Sequence, residues 1–231
     1  TTSRPGSSAR RRCAPAAAPT HKVTALRTFE FPGPSIKLPP MDALPLGAQV
    51  AVAGEQESFA VLTSGGYVPK THLAALSAHE TDFVVVAERF AGTPYLWGGK
   101  SSLGIDCSGL VQVALTACGI ACPRDSDMQE AALGKPVSLA GLQAGDLIFW
   151  KGHVAIARDA TTIVHANAHH MATVVENTQA AIARIKAAGS DVLVGGADND
   201  VLYGHAGADK FAFEFVQLFG GQTDTIKDFE D

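Results

Sequence analysis

The sequence contains no apolar run near the roughly 18 residues that a membrane helix requires, so no membrane span is predicted. Basic residues are also few: 18 Lys and Arg against 23 Asp and Glu give a formal net charge of −5. Phosphate binding needs an excess of Lys and Arg on one face, which argues against a nucleic-acid partner. The run Arg10–Arg12 is too short to change this conclusion.

Cysteine is scarce as well. The chain has four such residues among 231, namely Cys13, Cys107, Cys118 and Cys122. Their spacing shows neither a disulfide framework nor two ligand pairs for zinc. A reducing and an oxidising compartment are therefore equally compatible with the sequence. We interpret Cys118 and Cys122 as packing residues, the usual role of a lone cysteine.

The residues that are abundant indicate a globular protein. Hydrophobic residues make up 46% of the chain, and its length suits one large domain or two small ones. Residues 1–20 are rich in Ser, Pro, Ala and Arg, without the apolar core of a signal peptide, and we predict a disordered lead-in. The sequence favours neither a cytoplasmic nor an exported location. We expect a monomer.

Residues 21–76 have the pattern of a small β domain. The short apolar runs "VTALRTFEF", "AQVAVAG", "FAVLT" and "GYVP" are separated by Pro- and Gly-bearing turns. Their spacing resembles a bacterial SH3-like barrel. An unrelated five-strand β module is the alternative.

Residues 77–188 combine helices with strands. Apolar spacing predicts one helix over Phe83–Phe90 and a second that begins after Asp106 and stops at Gly119. The β-branched runs "GDLIFW", "HVAIA" and "TIVHAN" predict three consecutive strands. This part of the chain is therefore of the α+β class.

Cys107 lies at the predicted start of the second helix, directly after its candidate N-cap Asp106. Unpaired backbone N–H groups and the positive end of the helix dipole favour a thiolate there. We therefore expect an exposed, activated nucleophile that iodoacetamide alkylates quickly even below the ordinary thiol pKa of about 8.5. The alternative is a small buried core residue.

Two histidines lie on the predicted hairpin that follows. If its turn is centred on Asp159, His153 and His165 are directly opposite each other on one face, with Cβ atoms about 4.5–5.5 Å apart. One imidazole can then take the thiol proton while the other orients it. Histidine clusters also bind metals, and His169 and His170 lie nearby, but no carboxylate or cysteine has the helical spacing of a zinc site.

Four motifs in this order, "TPYLWGGKSSLGIDCSGLVQ", "GDLIFW", "GHVAIA" and "IVHAN", resemble the NlpC/P60 family of papain-like cysteine peptidases, which cut bacterial cell-wall peptides. With the SH3-like module, the chain is similar to members that act on γ-D-glutamyl bonds of peptidoglycan stem peptides. The resemblance implies an SH3-like barrel over 21–76, a papain-like peptidase domain over 77–188, and peptidoglycan-derived peptides as the partner.

The same resemblance implies site roles. Cys107 matches the nucleophile, His153 the general base, His165 the orienting residue, and Tyr95 a tyrosine that lines the site and supports the oxyanion. No cofactor is expected for catalysis. The positions of four further residues contact substrate in the SH3-bearing relatives: Trp97, Asp106, Ser108 and Ser126. Two of these have equally plain structural roles, since Asp106 caps a helix and Trp97 is suited to packing against the β domain.

The C-terminal residues 189–231 have a different pattern. From Lys186 the chain repeats in nines, "KAAGSDVLV", "GGADNDVLY" and "GHAGADKFA", and resembles the calcium-binding repeats of RTX proteins. The resemblance implies a short β-roll-like tail, with Asp191, Asp200 and Asp209 as candidate Ca²⁺ ligands.

Three functions are compatible with these patterns. The first is a cysteine endopeptidase that cleaves γ-D-glutamyl–diamino acid bonds through a Cys-His-His site. The second is a calcium-binding secreted or surface module whose papain-like domain is a non-catalytic scaffold. The third keeps the nucleophile for amidase or acyl-transfer chemistry.

Overall fold

The computed structural model describes residues 17–135, 139–187, 192–195, 201–203, 210–213 and 225–227. It divides the chain into two compact units. The first holds the described residues up to Ser77 apart from Pro45–Gly47, and the second holds those three residues and the described residues from Ala78 onward. Residues 1–16 of the predicted lead-in lie outside the described residues. Thr20, its last residue, already hydrogen-bonds the backbone of Val50.

The first unit is built of eight short strands and one 3₁₀ turn, Lys70–His72. The strands are β1 (His21–Val23), β2 (Arg27–Glu30), β3 (Asp42–Pro45), β4 (Gln49–Val50), β5 (Val52–Gln56), β6 (Phe59–Leu62), β7 (Tyr67–Pro69) and β8 (Leu73–Ala75). They form sheets with the orders β4-β1-β8, β2-β3 and β5-β6-β7. The predicted run "VTALRTFEF" is thus divided between two strands.

Alternating apolar residues and tight turns explain this unit. Leu62 and Val68 are buried together with Val50, and Leu73 packs against them. Between β6 and β7 the chain turns through Gly65, whose φ of 89° lies in the left-handed region that glycine adopts without strain. The predicted turn "TSGG" is therefore confirmed.

The second unit begins with three helices around a short hairpin. Helix α1 is Phe83–Glu88, β9 is Lys100–Ser101, β10 is Gly104–Ile105, α2 is Cys107–Ala117 and α3 is Ser126–Ala132. The Asp82 carboxylate accepts hydrogen bonds from the N–H groups of Val84 and Val85, which caps α1. At the end of α2, Gly119 has a φ of 79°, and Ile120 N donates to Leu115 O, as in a Schellman motif.

A four-stranded antiparallel sheet follows in the order β11-β12-β13-β14. Its strands are β11 (Leu147–Trp150), β12 (His153–Ala157), β13 (Thr162–Asn167) and β14 (Ala172–Asn177), with a 3₁₀ turn at Leu139–Gly141 before them and α4 (Thr178–Ala187) after them. A buried cluster joins the sheet to α4: Leu142, Ile148, Ala155, Ala157, Ile163 and Ala181. Helices α1 and α2 also pack against β12 and β13.

The three strands predicted for this unit are confirmed, as are α1 and α2. The sequence analysis did not predict α3, β14 or α4. It predicted the β12–β13 register incorrectly by two residues, since a hairpin centred on Asp159 would pair Ile156 with Thr162. Ile156 pairs with Val164 and Ala157 with Ile163, so the hairpin is centred on residue 160 and not on Asp159.

The described residues of the C-terminal segment form four short strands: β15 (Val192–Gly195), β16 (Val201–Tyr203), β17 (Lys210–Phe213) and β18 (Thr225–Lys227). β15 pairs in parallel with β17, and β16 in parallel with β18. The candidate calcium ligands Asp191, Asp200 and Asp209 lie outside the described residues. Among the described residues, no helix is both long and apolar enough to cross a membrane.

Candidate active site

Cys107 is the first residue of α2, and Asp106 is its N-cap as predicted. The Asp106 carboxylate accepts hydrogen bonds from Gly109 N and from Gly98 N, each 2.7 Å long, so it ties the helix start to the preceding loop. The loop approaches closely because Gly109 lacks a Cβ: an added Cβ would lie 2.3 Å from Gly99 O. This cap could be predicted from the sequence because the residues that form it are close together in the chain.

The remaining acceptor positions of Asp106 are also filled. Arg124 donates to its Oδ2 at 2.6 Å and to Ser108 Oγ at 2.8 Å, and Ser108 Oγ lies 3.4 Å from Asp106 Oδ1. A carboxylate offers about four lone-pair sites, and here four donors occupy them. Of the two roles left open for Asp106, the structure therefore favours the structural one. Sequence reasoning missed Arg124.

The thiol itself is buried, since Cys107 is only 6% exposed, and the predicted exposure is wrong. Cys107 lies at the end of a helix, but the sheet covers its side chain. The backbone N–H of Val154, the residue after His153, interacts with the thiol. The nucleophile candidate therefore lies against β12, next to one of the two histidines.

The two histidines are in direct contact. His153 Nε2 lies 2.8 Å from His165 Nδ1. With the register centred on residue 160, the two residues lie on one face as predicted, but on a diagonal and not directly opposite each other. A two-residue turn places His153 beside Trp150, with ring centroids 5.6 Å apart. Because Nε2 is committed to His165, Nδ1 is the ring nitrogen left for the thiol.

Behind His165 lies an ion pair that the sequence analysis missed. Glu176 Oε1 is 2.6 Å from His165 Nε2, and Arg184 donates two 2.6 Å hydrogen bonds to the Glu176 carboxylate. Glu176 lies opposite Ile163, so it is the diagonal neighbour of His165 on the same face. The run "ATVVEN" alternates in strand fashion and could have predicted β14, but nothing local links Glu176 to Arg184 eight residues later.

The pKa values at this site follow from burial. Burial raises the pKa of the Cys107 thiol, and the N–H groups of Val154 and Ser108 lower it by less. Burial, with the charges of His165 and Arg184, lowers the pKa of His153 to about 4. At neutral pH both groups are therefore uncharged, and the predicted lowering of the thiol pKa is wrong for the resting site.

This result determines how alkylation should depend on pH. We expect the rate of Cys107 alkylation by iodoacetamide to be slow at pH 7 and to rise through pH 9 without a plateau, because only the thiolate reacts. Mass spectrometry of quenched samples measures the rate, with the half-buried Cys118 as internal reference. A fast, pH-independent rate between pH 5 and 8 would instead indicate a thiolate–imidazolium pair.

The other predicted site residues lie around the start of α2. Burial raises the pKa of Tyr95, and the charges of Cys107 and Asp106 raise it further. Trp97 is 83% exposed. Ser126 is the first residue of α3, and this helix is joined to α2 by Gln129, whose amide donates to Ser108 O at 2.9 Å.

The described part of the chain contains no group of three His, Cys, Asp or Glu residues suited to a metal ion. His169 and His170 stack edge to face, and His170 N donates to Asn167 Oδ1. The segment "HANAHH" is thus held in part by its own hydrogen bonds, those between Asn167 and His170.

Comparison with known proteins gives the same assignment as the motifs. Residues 92–188 match the NlpC/P60 family, and residues 187–213 match the RTX calcium-binding nonapeptide repeat. Dipeptidyl-peptidase 6 of Lysinibacillus sphaericus is 42% identical over 90 residues, which are 39% of this chain and 33% of that protein. A γ-D-glutamyl-L-lysine dipeptidyl-peptidase of Bacillus subtilis is 45% identical over 69 residues, 30% of this chain and 23% of that protein.

Among solved structures, an NlpC/P60 family protein from Bacillus cereus matches with a TM-score of 0.58 and 25% identity, over 69% of this chain and 58% of that one. The buried thiol and the histidine pair are thus set in a fold of the cysteine peptidase class. Through the segment that contains Cys107, His153 and His165, the chain is similar to the NlpC/P60 family. It spans a third or less of the length of the two curated relatives.

Proposed function

We propose that this chain is a cysteine endopeptidase that hydrolyses γ-D-glutamyl–diamino acid bonds of peptidoglycan stem peptides. The observation that carries the proposal is the 2.8 Å contact of His153 with His165 beside a thiol at a helix N-terminus. This arrangement supplies a nucleophile, a base and a group that orients the base. The substrate class is supported by the name of the Bacillus subtilis relative.

In the first half of the reaction, Cys107 Sγ attacks the γ-carbonyl carbon of the glutamyl residue while its proton moves to His153 Nδ1. The backbone N–H of Cys107 and the Tyr95 hydroxyl are the candidate donors to the oxyanion. The C–N bond then breaks, and His153 gives its proton to the leaving amine. The products are a thioester on Cys107 and a free diamino acid peptide.

In the second half, water attacks the thioester carbonyl and gives a proton to His153. The C–S bond breaks, the glutamyl product leaves as a carboxylic acid, and the proton on His153 returns to the Cys107 sulfur. His165 keeps the imidazole of His153 in place through both halves. No cofactor enters these steps.

Substrate contacts are proposed for the residues around the thiol. The exposed indole of Trp97 offers a flat apolar wall, and Ser126 offers a hydroxyl at the start of α3. The hydroxyl of Ser108 is engaged by Arg124, so this serine is better suited to lining the pocket. Asp106 would bind a substrate amine only by giving up one of its present donors.

The finer architecture is also a proposal. We infer an SH3-like barrel over residues 21–76 and a β-roll-like tail over 189–231, on either side of the peptidase domain over 77–188. The short strands of the first unit support the barrel, as does the Bacillus cereus structure, whose likeness extends over more of this chain than residues 92–188. The parallel strand pairs support the roll.

The test of the function is product analysis. The chain is incubated with L-Ala-γ-D-Glu-diamino acid tripeptide and, as control, the isomer with an α-linked glutamate. We expect mass spectrometry to find the dipeptide acid and the free diamino acid from the γ-linked peptide alone. Cleavage at another bond, or transfer of the acyl group to an added amine in place of water, would favour the amidase or acyltransferase alternative.

Calcium binding by the tail is a second candidate function, favoured by the match of residues 187–213 to the RTX repeat. β15 pairs in parallel with β17, with Val192 opposite Lys210. In the sequence, Asp191 and Asp209 directly precede these two residues, and each holds the sixth place of its repeat. Carboxylate oxygens at such positions suit a hard cation such as Ca²⁺.

We expect at most one weak calcium site, with a Kd of about 10⁻⁴–10⁻³ M, because only one pair of repeats lies two repeats apart. Calorimetric titration of the full chain measures it, and Asp191→Asn with Asp209→Asn is the matched control. Peptidase activity should persist in a chelator, since the proposed catalytic residues precede the tail. Submicromolar binding or loss of activity in chelator would contradict these expectations.

A further inference from the structure

Glu176 and Arg184 have no assigned role, yet they end an unbroken line of contacts that starts at the candidate base. The line runs from His153 to His165 over 2.8 Å, to Glu176 over 2.6 Å, and to Arg184 over two contacts of 2.6 Å. His165 is 1% exposed, and protein groups contact both of its ring nitrogens: His153 at Nδ1, and Glu176 and Asn167 at Nε2. The direction of each hydrogen bond is therefore decided by protein groups alone.

Glu176 determines which ring nitrogen of His165 carries the proton. Burial raises the pKa of its carboxyl, but the hydrogen bonds from Arg184 and His165 outweigh burial and bring it to about 2. An ionised carboxylate only accepts hydrogen bonds, so His165 Nε2 must carry a proton. Burial lowers the pKa of His165, which keeps the ring neutral and leaves Nδ1 as an acceptor.

The tautomer of His165 then determines the direction of its hydrogen bond with His153. Because His165 Nδ1 accepts, His153 Nε2 donates across the 2.8 Å contact. A neutral imidazole has one N–H group, so Nδ1 of His153 keeps its lone pair. This is the nitrogen available to take the thiol proton.

Asn167 and Glu176 both lie within hydrogen-bonding distance of His165 Nε2. Its Nδ2 lies 3.0 Å from His165 Nε2, while its Oδ1 accepts from His170 N at 2.8 Å, which fixes the orientation of the amide. If His165 Nε2 accepted from Asn167, both histidines would adopt the opposite tautomer and His153 Nδ1 would carry a proton. The shorter, charge-assisted contact to Glu176 outweighs this alternative.

We propose that Glu176, held in place by Arg184, is a positioning residue that selects the tautomers of both histidines and so presents a lone pair of His153 to Cys107. This inference rests on the proposed peptidase function for its kinetic consequences, but its tautomer assignment does not. Arg184 projects from α4, which is anchored in the core by the fully buried Ala181.

The test compares variants of the full chain by long-range ¹H–¹⁵N spectra of the imidazoles and by peptide hydrolysis. In the native chain, Nε2 should be the protonated nitrogen of His153 and His165. In Glu176→Ala we expect both rings to switch to Nδ1–H, and kcat to fall about 10²-fold with KM unchanged. Glu176→Gln, whose amide oxygen still accepts from His165, should keep the native tautomers and most of the activity.

Two further variants separate this role from a merely structural one. Asn167→Asp in the Glu176→Ala background returns an acceptor to His165 Nε2 and should restore the native tautomers and part of kcat. Glu80→Ala removes the carboxylate that forms a similar bidentate pair with Arg89, and it should change neither the histidine tautomers nor kcat. Native tautomers in Glu176→Ala, or a loss of kcat without a tautomer change, would overturn the proposal. The spectra decide it even if no stem peptide is cleaved.

Discussion

Hydrolysis of the γ-linked stem peptide is expected to fall by about 10⁶-fold in Cys107→Ala, the loss seen when the nucleophile of a catalytic triad is removed. No other described residue near His153 offers a thiol. Steady-state kinetics with the tripeptide, followed by mass spectrometry at long incubation times, measures this loss. Substrate binding should remain, because the contacts proposed for Trp97 and Ser126 are untouched.

Cys107→Ala needs a control for its effect on stability. Since Cys107 is buried, Ala removes packing as well as chemistry, at a cost on the order of 1 kcal/mol in the free energy of unfolding. Thermal unfolding of both proteins should therefore differ little. Cys118→Ala, at the other end of α2, removes a half-buried thiol and should leave hydrolysis unchanged. Full activity in Cys107→Ala would end the peptidase proposal.

The second largest effect is expected for His153→Ala, which removes the base. General-base assistance is worth about 10²–10⁴-fold, and kcat should fall by that factor. In the native chain, kcat/KM should decline on the acid side only near pH 4, because the lowered pKa of His153 keeps its imidazole neutral above that value. Kinetics over a pH series measure both effects.

His165→Asn provides the comparison, since an amide can still make one orienting hydrogen bond, and it should cost less than His153→Ala. The exposed His169 serves as control, because His169→Ala removes an imidazole whose ring stacks on that of His170 and not on that of His165. A larger loss in His165→Asn than in His153→Ala would show that base and orienting residue had been assigned in reverse.

The acid side of the pH profile is informative because burial determines the direction in which the pKa of His153 is shifted. A histidine with a lowered pKa holds its proton only at lower pH, so the site remains in its basic form over the whole neutral range. An acid limb near the ordinary histidine value of about 6.5 would mean that a charged partner, such as a thiolate, restores the imidazolium. The alkylation profile of Cys107 would then change in parallel.

The features that sequence reasoning predicted well depend on neighbouring residues. Asp106 caps α2 and Gly119 follows its end, because capping and left-handed conformations are set within one helical turn. The strands β11, β12 and β13 follow from short β-branched runs. Placing the two histidines on one face needed only the period of two along a strand.

By itself, the sequence thus indicated the similarity of residues 92–188 to the NlpC/P60 family, the order of α1, α2, β11, β12 and β13, and Cys107, His153 and His165 as candidates, since motif order and local periodicity are properties of the chain alone. Only the tertiary structure decided the burial of Cys107, the hairpin register and the contact of His165 with Glu176. Burial depends on how the sheet packs over a helix end, and this reverses the effect of the helix dipole on the thiol pKa. The line from His165 through Glu176 to Arg184 joins β13, β14 and α4, and no local pattern reports a contact between side chains on three elements.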